Sequence, residues 1–244
     1  MLCYKNNEYN LPRKTNHRTV FHNAKSRKHS AKNSLRNKRV LVTCGPTWVA
    51  IDPVRVVSNR STGDLGHRIA EELKNAGARV TLLEGPVTDP LQAKKIRIIQ
   101  FHFFAELKEL LNRELRRPFE CIIHAAAVSD FKPIKTFSNK LKSHSGGLAL
   151  KFVPTEKLIQ RIKKTAPKSF LVGFKLDADT RKASLIKKAR KLIEESNCDW
   201  VVANSARQKK YHGFILNKEA KVLGQARSRK QMAKALIKLL KERT

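Results

Sequence analysis

Strand-length apolar runs alternate with amphipathic stretches of helical period along most of this chain, and that alternation restricts it to an α/β fold. Residues 39–44 are β-branched and apolar on both faces, as a parallel strand covered by helices must be. Leu65, Ile69 and Leu73 then recur at helical spacing. Residues 79–84, stopped by Gly85 and Pro86, and 96–101 predict the next strands. Phe104, Leu107, Leu110, Leu111 and Leu115 share one face of a helix that ends before Pro118. A central strand is expected over 120–128, then a strand at 148–153, a helix at 155–164, a strand at 169–174, a helix at 181–195 and a strand at 200–203. The chain closes on a hairpin at 214–223 and a helix carrying Met232, Leu236, Ile237 and Leu240. Short links between such elements predict a doubly wound, mostly parallel, Rossmann-like sheet. The polar, lysine-rich stretch 129–147 is expected to form a basic flap on it.

The first strand and first helix are joined by a polar, glycine-punctuated loop, residues 45–66, whereas most βα connections run only two to six residues. Ser61 and Thr62 are good N-cap types, and Gly63 and Gly66 would let backbone amides approach an anion at the positive end of the helix dipole. The loop therefore reads as a phosphate site. Ligands in doubly wound sheets bind beyond the C-terminal strand ends. The loop, the turn at 125–130 and the strand end at Phe174 and Lys175 all fall there, so one crevice is expected to gather them.

The formal net charge is +32 over 244 residues, of which +9 falls in residues 1–38. Those residues have little apolar periodicity and predict a disordered basic arm preceding the α/β domain at 39–244, able to touch nucleic acid nonspecifically. The excess suits anionic ligands without identifying them. Cys3, Cys44, Cys121 and Cys198 include no Cys-x-x-Cys pair and are expected as reduced, mostly buried thiols. No apolar stretch approaches membrane-spanning length and no secretory signal is visible, which predicts a cytoplasmic protein without membrane contact.

Taken in order, Gly45-Pro-Thr, Ile51-Asp-Pro-Val-Arg55, Ser58-Asn-Arg-Ser-Thr-Gly63-x-x-Gly66, Ala125-Ala-Ala-Val-Ser-Asp130, Lys140-Leu-Lys142-Ser, Gly173-Phe-Lys-Leu176 and Val202-Ala-Asn204 resemble phosphopantothenate-cysteine ligase from about residue 39 to 240. The resemblance is to the stand-alone form, without a flavin-dependent decarboxylase half, so a separate decarboxylase is expected in the pathway. It implies a ligase that joins 4'-phosphopantothenate to L-cysteine through an acyl-nucleotide. CTP is the expected co-substrate ahead of ATP, with Mg²⁺, and a homodimer is implied in which the C-terminal hairpin is a candidate contact.

By that resemblance Asn59 is the amide that holds the acyl-nucleotide while cysteine attacks, with Arg55 and Ala125 supporting the step. Lys140 is the flap lysine of nucleotide binding and activation, and Lys142 stands beside it. His124, Ala125, Ala126, Asp130, Glu156, Lys157, Leu158, Ile159 and Phe174 match nucleotide contacts. Gly45, Ser61, Thr62, Gly63 and Gly66 belong to the phosphate loop, and no metal ligand is assigned. The chain departs from the family pattern at Leu192 and Ser196, where fused members carry lysines, and Lys191 is the substitute. Asn204-Ser205 replaces the usual Asn-Asp. Two rival readings remain: an NAD(P)-dependent oxidoreductase, with Glu84 as its ribose-binding acid, and a basic nucleic-acid-binding protein. Against the first, residues 45–66 hold no Gly-x-Gly-x-x-Gly; against the second, no aromatic interleaving or zinc signature accompanies the charge.

Overall fold

The computed structural model describes residues 35–142, 148–178, 181–207 and 210–243. The basic arm expected over 1–38 falls outside these residues except for its last four, where Leu35 is buried in the core and Asn37 donates its N–H to the Gly77 carbonyl at 2.8 Å. The chain begins its sheet with β1 (Arg39–Cys44), whose residues from Val40 onward are all buried. Within the long loop lie β2 (Trp48–Ala50) and β3 (Val56–Ser58), a small antiparallel pair too short to leave any periodicity in the sequence. Helix α1 (Asp64–Asn75) follows, then β4 (Arg79–Glu84), β5 (Ile96–Gln100), α2 (Phe104–Glu114) and β6 (Cys121–His124). The flap stem is β7 (Phe131–Pro133) paired with β8 (Phe152–Pro154). The chain continues through α3 (Leu158–Thr165), β9 (Phe170–Asp177), α4 (Lys182–Ser196), β10 (Trp200–Arg207), β11 (Lys210–Asn217), β12 (Val222–Ala226) and α5 (Arg229–Glu242).

The main sheet runs in the order β12-β11-β10-β9-β6-β1-β4-β5. From β10 to β5 every pairing is parallel, and β11 and β12 add an antiparallel edge. The order reverses at β1, next to which a doubly wound sheet opens its ligand crevice. Alternate residues of the strands feed two cores. Val40, Val42 and Val172 pack with Ile69 and Leu73 of α1 and with Leu236 and Ile237 of α5 on one face. Leu41, Ile122 and Leu171 pack with Leu107, Leu111, Ile162, Leu185 and Ile193 of α2, α3 and α4 on the other. Burying one such aliphatic side chain is worth roughly 1.5–3 kcal/mol, so helices whose apolar stripe is this continuous have one docking face and no alternative. Among the described residues, no helix is long and apolar enough to cross a membrane.

Three expectations shift. The strand expected over 148–153 does not join the main sheet; β8 pairs with β7, and its side chains are exposed or half-buried, too little burial to hold a strand inside a sheet covered by helices. The central strand stops at His124 instead of running to 128. Beyond it the chain stays beside Gly45 and Pro46 through Ala127 N–H to Gly45 O at 2.8 Å, but Pro46 has no N–H to extend the ladder. Finally, α1 is not capped by Ser61 or Thr62: Gly63 is the N-cap with φ 72°, a left-handed conformation that suits glycine, and no side chain caps it.

Gly66 lies where α1 crosses β1, and a Cβ there would stand 2.3 Å from the Cys44 Cβ. The glycine fixes how closely the helix lies on the strand. Gly66→Ala must lift the first turn of α1, and overpacking of this kind costs about 2–3 kcal/mol. The variant is expected to unfold at lower urea with an unchanged m-value; an unaltered midpoint would show that the helix yields freely.

Candidate active site

A hollow of about 1140 Å³ opens beyond the C-terminal ends of β1, β6, β9 and β10. Pockets that bury a drug-sized ligand hold roughly 300–1,000 Å³, so this one has room for a nucleotide and part of a second substrate. Its walls include Asn59, Ser61, Thr62, Gly63 and Gly66 from the loop and the start of α1, and His124, Ala125, Ala126 and Asp130 from the β6 end. Glu156, Lys157, Leu158, Ile159, Phe174 and Lys191 complete the set of expected residues gathered there. Gly45, Arg55, Lys140 and Lys142 do not line it.

Gly45 instead holds the loop's root. Its φ is +76°, and a Cβ would lie 2.9 Å from the Gly85 nitrogen, so only glycine lets the ends of β1 and β4 close together. The next residues are stitched to the 125–129 turn. Ser129 N–H donates to Thr47 Oγ1 at 2.9 Å and Ser129 Oγ donates to the Thr47 carbonyl at 3.0 Å, both buried. The loop and the turn therefore form one rigid rim.

Asn59 lies on that rim. Its Nδ2 donates to the carbonyls of Ala127 at 3.2 Å and Val128 at 3.0 Å, just beyond the end of β6, and the Ala127 carbonyl also accepts from Thr47 N–H at 3.4 Å. Both amide hydrogens are thereby spent, and Oδ1 is the atom left for a ligand. Gly66 lines the hollow but keeps its bare Cα toward Cys44, so its smallness serves helix packing and not the approach of an anion. Ser61 Oγ and Thr62 Oγ1 accept long 3.4 Å bonds from the N–H groups of Gly63 and Asp64, which shape the turn ahead of the helix.

His124 is buried, and desolvation pulls its pKa down to about 4. Its Nδ1 stands 2.9 Å from Thr43 Oγ1, which also accepts from Ala126 N–H at 3.2 Å. A neutral imidazole presents no charge to a phosphate. The depressed pKa also makes the fold acid-sensitive. The unfolded chain binds a proton near 6.5 that the folded chain refuses until about pH 4, so stability is full above 6.5 and drains as pH falls through this window. The loss is about 3 kcal/mol. Urea midpoints across the window should fall for the native chain and stay flatter in His124→Gln; parallel curves would refute this.

The hollow's charges are nearly balanced by pairing. Asp130 takes Lys157 at 2.6 Å, Asp177 takes Lys188, Glu195 takes Lys191 at 3.6 Å, and Glu156, on the wall, takes Lys108 and Arg161. Lys108 and Arg161 hold the Glu156 carboxyl below the usual range. Arg60 and Lys175 line the hollow with no ion-pair partner among the described residues, and Arg229 reaches it from the start of α5. Of these cations the sequence pointed only to Lys175, as part of the strand end expected in the crevice. Arg60 and Lys175 sit inside the recognised motifs, but Arg229 is brought in from far along the chain.

The flap is tied elsewhere. Buried Asp52 accepts from the N–H groups of Val54, Arg55 and Leu141 and pairs with Arg55 at 3.2 Å, while Arg55 Nη2 donates to the Leu141 carbonyl at 3.1 Å. Burial pushes the Asp52 pKa up, but those bonds and the guanidinium outweigh it and hold the carboxyl below its ordinary value. Arg55 thus clamps Leu141, between Lys140 and Lys142, and places the exposed Lys140 beside the 50–55 loop instead of in the hollow. Glu84 is likewise unavailable as a ribose acid: it is 1% exposed and pairs with His67 at 2.7 Å. Cys44, Cys121 and Cys198 are free and buried. Desolvation pushes the thiols of Cys121 and Cys198 up to about 12, and that of Cys44 up further, with the Glu84 charge adding to it, so none is poised as a nucleophile.

The model of the DNA/pantothenate metabolism flavoprotein C-terminal domain matches residues 35–242. Coenzyme A biosynthesis bifunctional protein CoaBC of Thermococcus kodakarensis is 40% identical over 173 residues, 70% of this chain and 42% of that protein. The DNA/pantothenate metabolism flavoprotein from Streptococcus pneumoniae, a solved structure 25% identical, superposes with a TM-score of 0.76 over 85% of this chain and 100% of that one. A Cab2 mutant solved in complex with phosphopantothenate-cysteine, 18% identical, shares the fold with a TM-score of 0.69 over 85% of this chain and 87% of that one. The chain spans about half the length of the curated relatives it matches.

Proposed function

Because the chain belongs to the DNA/pantothenate metabolism flavoprotein C-terminal domain family, we propose that it is a phosphopantothenate-cysteine ligase, joining 4'-phosphopantothenate to L-cysteine in coenzyme A biosynthesis. The observation that carries this reading is the single hollow that collects Asn59, the 61–66 turn, Ala125, Asp130 and Phe174 from separate strand ends. A hollow of that size suits an acyl-nucleotide, and the solved Cab2 complex holds phosphopantothenate-cysteine in the same fold.

The chemistry accounts for the residue types. The pantothenate carboxylate attacks the α-phosphate of the nucleotide and pyrophosphate leaves; the amine of cysteine then attacks the acyl carbon, loses a proton, and the nucleoside monophosphate departs. The first step sets two anions together, which Arg60, Lys175 and, from the flap, Lys140 would offset. In the second, Asn59 holds the rim against which the acyl carbonyl sits. The small side chains of Ala125 and Ala126 leave space for a base, which Phe174 covers from the side, and Asp130 accepts from ribose hydroxyls. Arg55 acts through the flap.

CTP is the preferred co-substrate in this reading, ahead of ATP. The Mg²⁺ that accompanies a triphosphate finds no carboxylate cage: the lining carboxylates are taken by cations, and among the described residues no three acids converge on the hollow. Such an ion would arrive on the phosphates with its waters, and no step is assigned to it. A cytoplasmic homodimer is the proposed state. Its support is the exposed apolar set Val54, Val56, Val57, Phe131 and Ile134, a better contact than the β11–β12 edge. A separate decarboxylase would consume the product.

Pyrophosphate release with CTP or ATP, with and without cysteine, tests the reading. Release should require 4'-phosphopantothenate, and amide product should require cysteine as well. If neither nucleotide yields pyrophosphate with 4'-phosphopantothenate present, the assignment is wrong.

A further inference from the structure

Next to the start of α1, and outside the lining of the hollow, Cys44 Sγ, His67 Nε2 and a Glu84 carboxylate oxygen all lie within 4.8 Å of one another. They come from the end of β1, the first turns of α1 and the end of β4. Cys44 and Glu84 are each 1% exposed, and the His67 side chain is 12% exposed. Glu84 Oε1 accepts from Leu91 N–H at 2.9 Å and stands 2.7 Å from His67 Nε2. Yet His67 Nε2 makes no directed hydrogen bond, and Glu84 Oε2 has no hydrogen-bond partner at all. A buried carboxylate oxygen left this way is costly, and a closed His–Glu pair would leave neither atom unsatisfied.

We propose that Cys44, His67 and Glu84 form a zinc site. One divalent ion satisfies the three donors at once. Zinc bonds of ~2.0–2.3 Å put the donor atoms of a single ion roughly 3–4 Å apart, which this group reaches with small side-chain rotations. Thiolate, imidazole and carboxylate together select zinc over Mg²⁺ or Ca²⁺, which take oxygen ligands. Water supplies the fourth position. The ion cross-links β1, β4 and α1 next to Gly63, whose Cβ, if it had one, would stand 3.2 Å from His67 Nε2. It therefore braces the helix start that lines the hollow, whatever reaction the hollow performs. No Cys-x-x-Cys spacing announces the site, because each ligand arrives from a different element.

The test uses the whole chain, freed of metal by chelator and titrated with Zn²⁺ and, separately, Co²⁺. One equivalent should bind, Co²⁺ should develop a thiolate-to-metal absorption band, and Mg²⁺ should do neither. The band should persist in Cys3→Ser and vanish in Cys44→Ala, while His67→Gln and Glu84→Gln weaken zinc binding by at least about 100-fold. Glu84→Gln preserves the side-chain shape and carries the test should Cys44→Ala fail to fold. Absence of a thiolate band in the native chain, or a band that survives Cys44→Ala, overturns the proposal.

Discussion

Asn59→Asp is expected to leave nucleotide-dependent pyrophosphate release in place while amide formation falls by roughly 10²-fold, the loss that a small misplacement of a reacting group can cause. The reason is the pair of bonds from Asn59 Nδ2 to the carbonyls of Ala127 and Val128. A carboxylate has no N–H to give, so the substitution replaces two attractions with two oxygen–oxygen repulsions at the rim. These carbonyls are exposed and water can take the lost bonds, which limits the change in global stability to about 1 kcal/mol or less. The damage is local. Activation of the carboxylate depends on cations across the hollow and survives, but the acyl carbonyl is no longer held for the incoming amine. Acyl-nucleotide should therefore accumulate, and quantifying it against free pyrophosphate separates the two half-reactions. Equal loss of both would mean that Asn59 serves binding in general.

The strands β1, β4, β5, β9 and β10 and the helices that cover them were legible in the sequence because each buries a face, and burial writes a period of two, a continuous apolar run or a 3.6-residue stripe. The β2–β3 and β7–β8 pairs were not, since three-residue strands with exposed side chains such as Val56 and Phe131 bury too little to impose a pattern. In the site, the segments were legible but not their contacts. Gly66 reads as a phosphate-loop glycine, yet its need is set by Cys44, which only the helix-on-strand crossing brings near. Asp52 stands inside a recognised motif, but its role carries no signal there: its three backbone donors include Leu141, a flap residue that tertiary structure delivers. The Cys44, His67 and Glu84 group was hidden for the same reason.

Lys140→Gln is expected to cut the pyrophosphate-releasing step by roughly 10²–10³-fold, with Lys140→Arg recovering a large part of it, because what is removed is positive charge against a leaving pyrophosphate. The structure sharpens this expectation. Lys140 is exposed and outside the hollow, with its neighbour Leu141 bonded at N–H to Asp52 and at its carbonyl to Arg55. A lysine that acts at the triphosphate from this flap must be delivered there after the nucleotide binds. Its loss should then depress the maximal rate far more than it weakens nucleotide binding in the absence of 4'-phosphopantothenate. The tether supplies an independent check. Asp52→Asn keeps the side-chain shape but removes the charge that pairs with Arg55, loosening the segment that carries Lys140 without touching the lysine itself. Pre-steady-state pyrophosphate bursts should shrink in Lys140→Gln and change in rate, not amplitude, in Asp52→Asn. A Lys140→Gln burst equal to the native one would remove the flap lysine from the activation step.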